Sequence, residues 1–355
     1  PIRDGAWRQL VLTYDQAANR AVVYVDGRSA GSASYDPTGA TVNPTWLMGA
    51  SGWAFRIIMR ADMSERAIHA FDWAALLPEG LRNAGYDCVY VGRRCGSEAL
   101  RAQRQAEAHA AIVAGIDAGR PAVVYDLFMP EWGLVIGYDD DAQAYDVLAY
   151  NRPLLDPTEP LAAGGGHPMW RETHRPMRGR VPYALLGQRD LGVLSVTVPG
   201  GPCGRCHDEA LLNALQVAVA HAQGEEWTQT PTCQGGVAAY AHWAKAVQTQ
   251  PSEAWERAEY LAGHWAGARC YARDLLMRES DQCPALEPAA RAYARVADQL
   301  LTVWRAYHGE HYPGRRQQEQ LADILFDTAR SEAEAIAYLR RCVPNDAGTY
   351  LLRTG

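Results

Sequence analysis

Near Pro202 the spacing of apolar residues changes from alternation to a helical repeat, and this change limits the possible folds more than any other feature of the sequence. Downstream, five segments place apolar residues three and four apart with charged residues on the opposite face. They read "DEALLNALQVAVAHAQ", "GVAAYAHWAKAVQ", "WERAEYLAGHWAGARCYARDLLMRE", "LEPAARAYARVADQLLTVWRAY" and "EQLADILFDTARSEAEAIAYLRR". Stripes of that period are buried by packing on one another, so residues 201–345 are expected to form an all-α bundle. Upstream the signals are mixed. "RPAVVYDLF", "WGLVIGYDD" and "AYDVLAYN" are short β-rich runs joined by polar turns, an antiparallel meander that "LGVLSVTVP" completes. "FDWAALLPEGLRNAG" predicts a short helix ending at Gly85, followed by a strand over "YDCVYVG". "SEALRAQRQAEAHAAIVAGIDAG" predicts a long helix with Ser97 as its N-cap and Gly119 as its stop. A Gly/Pro-rich loop is expected over 151–180. The fold class is therefore α+β.

The first 36 residues form a third zone. "WRQLVLTYD" and "RAVVYVDGR" flank "QAAN" and predict a β-hairpin, and the breaker-rich "PTGATVNPT" separates it from the mixed zone downstream. The expected organisation is a hairpin over 1–36, an α/β domain over 37–200 and a helical bundle over 201–345. A formal net charge of −7 lacks the concentrated basic face of a nucleic-acid binder, and no run of 18 apolar residues is available to cross a membrane. The opening "PIRDGAWRQL" has no signal-peptide pattern and no initiator methionine, which reads as a fragment or a processed form. Eight scattered cysteines among 355 residues are expected as buried thiols in a reducing, cytoplasmic setting.

Two resemblances sharpen these expectations. Asp4, Gly5, Trp7, Thr13, Tyr14, Asp15 and the run Tyr24–Gly27 resemble the end of a laminin-G-like jelly roll, which implies an extracellular setting instead. From about 45 to 340 the chain resembles the family of butirosin biosynthesis protein H, within the papain-like group that includes bacteriocin-leader peptidases. The residues that carry this are Met48, Gly49, Ser51, Gly52, Ala54, Phe55 and Arg56 in "MG-x-SG-x-AFR", together with "IDAGRPAVV" and the "GYDD" of Gly137 to Asp140. The resemblance implies a papain-like antiparallel sheet with helices. In catalytic relatives it also implies a cysteine on a helix ahead of "MG-x-SG" and a histidine six residues before the glycine of "GYD". Here that second position is Glu131, and no cysteine precedes Cys88. A thiolate at neutral pH needs an imidazolium partner that a carboxylate cannot supply. The expectation is a catalytically degenerate domain with no cofactor, binding a small metabolite or a carrier-bound acyl or peptidyl group. Ser51, Arg56, Glu131, Trp132, Asp139 and Asn151 are expected to line its cleft, Asn151 because papain-like enzymes place an orienting residue after the strand that follows the histidine strand.

Three further readings stay open. A relocated thiol, Cys88 or Cys95, paired with a loop histidine, His167 or His174, would make the chain an acyltransferase or amide hydrolase. "PCGRCH" places Cys203, Cys206 and His207 in the C-x-x-C-H pattern that takes haem or contributes zinc ligands, with a plain turn before a helix as the alternative. A scaffold without an active site, oligomerising through its bundle, is the third.

Overall fold

In the computed structural model, the described residues are 10–15, 20–25, 28–34, 44–128, 131–150, 176–188, 192–226, 232–249, 253–307 and 314–343. The chain divides into two compact units, Pro1–Trp46 and Leu47–Gly355. The first holds an antiparallel meander of β1 (Leu10–Asp15), β2 (Arg20–Val25) and β3 (Arg28–Ser34). The expected hairpin is its first two strands, in the register Leu10↔Val25 to Asp15↔Arg20. The third strand, "RSAGSAS", escapes sequence reading because glycine, alanine and serine carry little strand preference. The short helix α1 (Pro44–Ala50) leads into the second unit.

That unit begins with a 3-10 turn over Trp53–Phe55, strand β4 (Ile58–Arg60) and a 3-10 helix over Glu65–Ala70. Helix α2 (Trp73–Asn83) comes next, with the Asp72 carboxylate accepting from the Ala74 amide at 3.1 Å as its N-cap. Then come β5 (Tyr86–Arg94) and α3 (Glu98–Asp117), whose Ser97 hydroxyl accepts from the Leu100 amide as expected. Strands β6 (Ala122–Tyr125), β7 (Trp132–Asp139), β8 (Ala144–Tyr150), β9 (Pro176–Pro182) and β10 (Val193–Pro202) complete a six-stranded sheet in the order β5-β10-β6-β7-β8-β9. Every pairing in it is antiparallel. Strand β9 extends back into the span expected to be loop, because its alternation is masked by Pro176 and Gly179. Helix α3 lies across β5, β10, β6 and β7. It buries Ala108 and Ile112 against Val124, Val135, Tyr145, Val147, Val196 and Val198.

The helical part consists of α4 (His207–Ala222), α5 (Ala238–Thr249), α6 (Glu253–Ser280), α7 (Glu287–Tyr307) and α8 (Arg315–Cys342). A short strand, β11 (Cys233–Gly235), pairs with β4 ahead of α5. Helix α6 packs along α7, α7 along α8, and α8 against α5. The five helices are those the 3.6-residue period requires. Inside them a polar strut is enclosed. Arg269 on α6 and Glu332 on α8 are 0% and 1% exposed and meet bidentately, at 2.7 and 3.0 Å. The Tyr240 hydroxyl also donates to Glu332. The free arm of the guanidinium reaches the carbonyls of Ala54 and Arg56. A charge this deep is tolerated because it is paired and four of its five N–H groups are hydrogen-bonded. No helix among the described residues is long and apolar enough to cross a membrane.

Candidate functional site

The segment "MG-x-SG-x-AFR" is a joint between elements. A Cβ at Gly49 would lie 2.4 Å from a methyl carbon of Leu275 on α6, so α1 and α6 approach only because that position has no side chain. Gly52 is left-handed at φ 74°, and a Cβ there would lie 2.7 Å from Val217 on α4. The Phe55 ring meets Tyr293 edge-on at 5.5 Å. Arg56, 3% exposed, is clamped by Glu226, with Nε 2.8 and 3.0 Å from its carboxylate oxygens, and gives its remaining arm to the Ser51 carbonyl. The Ser51 hydroxyl donates to the Met48 carbonyl at 3.2 Å. Ser51 and Arg56, expected in a ligand cleft, thus spend their polar atoms inside the protein.

His221 completes the Arg56 cluster. Its Nδ1 is 2.7 Å from Glu226, and its Nε2 receives the amides of Ile57 at 3.0 Å and Gly236 at 3.2 Å. The Ile57 carbonyl is also close, at 2.9 Å. Nε2 thus faces two amide donors and one carbonyl oxygen, and Nδ1 faces Glu226. Burial alone would push the Glu226 carboxyl up, but Arg56 and His221 outweigh it and hold it at about 2. The cluster is an anchored strut with no free base.

Glu131 and Trp132 lie elsewhere, where β7 begins. Trp132 faces Tyr125 across the β6–β7 ladder, with ring centroids 5.3 Å apart, and meets Trp73 at the start of α2 at 6.2 Å. Trp73 meets Trp53 at 5.0 Å, and Trp53 meets His264 on α6 at 5.6 Å. His264 stacks on Tyr260, one turn earlier, at 6.1 Å. Tyr260 returns to Glu131 through a hydrogen bond to its carboxyl, which the Trp132 amide also supplies. Four elements, β7, α6, the Trp53 turn and α2, thus close a circuit of rings on one carboxyl group. Phe71 and the wholly buried Trp265 pack behind Trp53.

The electrostatics of this circuit are unusual. Burial pushes the Glu131 carboxyl above its ordinary range, against the two hydrogen bonds that favour its ionised form. Burial, helped by the nearby Arg269 charge, lowers His264 to about 4, so its imidazole is neutral at physiological pH. Among the described residues, His264 Nε2 and Trp265 Nε1 are buried without a hydrogen-bond partner, an arrangement that costs about 1–3 kcal/mol for each atom. A carboxyl that burial pushes above its ordinary range, a neutral imidazole and an indole N–H, walled by indole faces, can bind an uncharged polar group.

Asp139 does not belong to this circuit. It ends β7, roughly 25 Å along the strand from Glu131 at about 3.3 Å per residue. There it caps the Ala142 amide at 3.0 Å and pairs with Arg180, and both hold its carboxyl below the ordinary range. Asp140 accepts from the Tyr183 hydroxyl at 2.9 Å, and Tyr183 packs on His109 at 4.4 Å. The acidic turn is thereby occupied as a hairpin. Asn151, His167 and His174 lie outside the described residues.

All eight cysteines are outside disulfides. Burial raises the Cys88 thiol, with Arg82 acting against it and Asp87 with it, which disfavours the thiolate at neutral pH. Cys95 is half-buried beside Gly187, against the sheet core. Cys203 donates to the Arg82 carbonyl at 3.1 Å, Cys206 is the exposed N-cap residue of α4, and His207 is 2.7 Å from Glu279. Among the described residues no three His, Cys, Asp or Glu side chains gather as a metal site. In sequence, His264 reads as interhelical packing, and Tyr260, Trp53 and Trp73 pass without notice. The available signal is the four-residue spacing of Tyr260 and His264, which puts both on one helical face. Comparison of the chain with protein-family models and with curated proteins returned no match.

Proposed function

We propose that this chain is a catalytically silent domain of papain-like type that binds a small metabolite or the acyl end of a carrier-bound group beside Glu131. The observation that carries the reading is the closed circuit Glu131–Tyr260–His264–Trp53–Trp73–Trp132, built where β7 begins. An antiparallel sheet crossed by a long helix supports the fold-level part. A carboxyl in the position where relatives carry an imidazole supports the silent part, because it cannot partner a thiolate. The thiol partners described at Cys203 and Cys342 are backbone carbonyls, in keeping with that. Indole faces provide the apolar wall for an acyl chain. The His264 and Trp265 nitrogens provide hydrogen bonds to its carbonyl.

Acetyl- and butyryl-N-acetylcysteamine thioesters mimic the carrier terminus without the carrier. Titrated into the protein, they are expected to change tryptophan emission saturably, with no release of free thiol. Glu131→Ala and His264→Ala are expected to abolish the change while keeping the far-ultraviolet circular dichroism. Thiol release that saturates with the thioester would replace this reading with the acyltransferase or hydrolase one. Emission that ignores both thioesters would leave the scaffold reading.

A further inference from the structure

Cys283 and Cys342 are far apart in sequence and belong to neither cluster described above. Helices α7 and α8 run antiparallel, and the ion pair between Arg295 and Glu334 marks their relative height. Eight residues toward the end of α8 from Glu334 is Cys342, and eight residues toward the start of α7 from Arg295 is Glu287. Just before Glu287 is the 3-10 turn Pro284–Leu286, whose N-cap residue is Cys283. The Cys342 thiol reaches into that turn, 3.7 Å from the Ala285 carbonyl. Cys283 is exposed and Cys342 half-buried, and neither is in a disulfide.

We propose that Cys283 and Cys342 form an oxidation site: a reversible disulfide that fastens the last turn of α8 to the α6–α7 turn in the presence of a small-molecule disulfide. The exposed Cys283 thiolate attacks the oxidant RSSR, forming a mixed disulfide and expelling one RS−. The Cys342 thiolate then attacks the Cys283 sulfur, forming the internal bridge and expelling the second RS−. Two thiol protons leave, the protein loses two electrons, and one RSSR becomes two RSH. The order comes from the surroundings. Burial, and negative charge on the neighbouring Cys283, both raise the Cys342 thiol. Once Cys283 carries the mixed disulfide it has no thiolate charge, and that second obstacle disappears. Bridged Cα atoms stand about 4.4–6.8 Å apart, the span that the bridge requires of these two adjoining helix ends.

The test uses the full chain, fully reduced and then held with excess oxidised glutathione at pH 8. Remaining thiols are blocked with iodoacetamide, and peptides are mapped without reduction. The expected product is one peptide pair joined through Cys283 and Cys342, two hydrogens lighter than the sum of its reduced peptides. The expected Tm rises by several degrees and returns with dithiothreitol. Cys342→Ser is expected to leave Cys283 glutathionylated and the Tm unmoved, and Cys283→Ser to leave Cys342 largely carbamidomethylated. Recovery of both cysteines as separate glutathione adducts, a disulfide-linked dimer on a non-reducing gel, or bridging of either residue to another cysteine would overturn the proposal.

Discussion

The enclosed strut between α6 and α8 supports a quantitative prediction. Glu332→Gln preserves the shape of the side chain and one acceptor oxygen but removes the only carboxylate paired with Arg269 among the described residues. The guanidinium keeps its charge at any accessible pH and is 0% exposed, so it can neither neutralise nor reach water. Stranding one member of such a pair costs about 3–5 kcal/mol. One of the two charge-assisted hydrogen bonds, at 2.7 and 3.0 Å, is lost and the other becomes a bond to a neutral amide oxygen; at about 1.5–3 kcal/mol for a charged bond and about 1 kcal/mol for the lost charge assistance of the other, the sum is similar. At about 2–4 °C per kcal/mol for a large domain, Tm is expected to fall by roughly 6–20 °C, followed by circular dichroism at 222 nm. Arg269→Met should cost a comparable amount, since it strands Glu332 and leaves the carbonyls of Ala54 and Arg56 without their donor. The double variant Arg269→Met with Glu332→Leu contains no unpaired charge. Its loss should fall short of the summed single losses by at least about 3 kcal/mol. Additive losses, or a Glu332→Gln variant within about 1 kcal/mol of the parent, would refute the account of a charge held only by its partner.

Three more perturbations test other parts of the structure. His264 titrates near 4 in the folded protein against an ordinary 6.5, so the unfolded chain takes up the proton first. Stability is complete above 6.5 and is lost as pH falls toward 4, by about 3 kcal/mol, and urea midpoints for His264→Phe should lack that slope. Glu226 acts lower down: its contribution is complete above its ordinary 4.5 and drains away as pH falls toward 2, again by about 3 kcal/mol, a limb that Glu226→Gln should not show in acid unfolding. Gly52→Ala places a Cβ 2.7 Å from Val217 on a backbone at φ 74°, and chemical denaturation should record a loss of about 2–4 kcal/mol.

The elements legible in the sequence are those whose burial pattern is their period. The five amphipathic helices and the α3 boundaries at Ser97 and Gly119 fall in this class, as do the strands around "WGLVIGYDD". Strands β3 and β9 are hidden because glycine, serine and proline mask alternation, and pairing with a neighbour supplies what local preference lacks. The site is half legible. Glu131 is found by counting back from "GYDD", and Trp132 comes with it. Their partners come from α2, α6 and the Trp53 turn, 58 to 133 residues away, and no local spacing encodes that meeting. Asp139 groups with Glu131 in the sequence because they share a strand, yet length along a strand is distance in space.

The joint at residues 48–56 bears on how related chains are recognised. Gly49, Gly52 and Phe55 meet demands set by α6, α4 and α7, and Arg56 one set by Glu226, whatever chemistry occurs beside them. A chain could carry quite different groups elsewhere and still need this nonamer to seat its helices on one another. Searching sequences with that string would gather chains assembled alike at this joint, whatever groups they carry elsewhere.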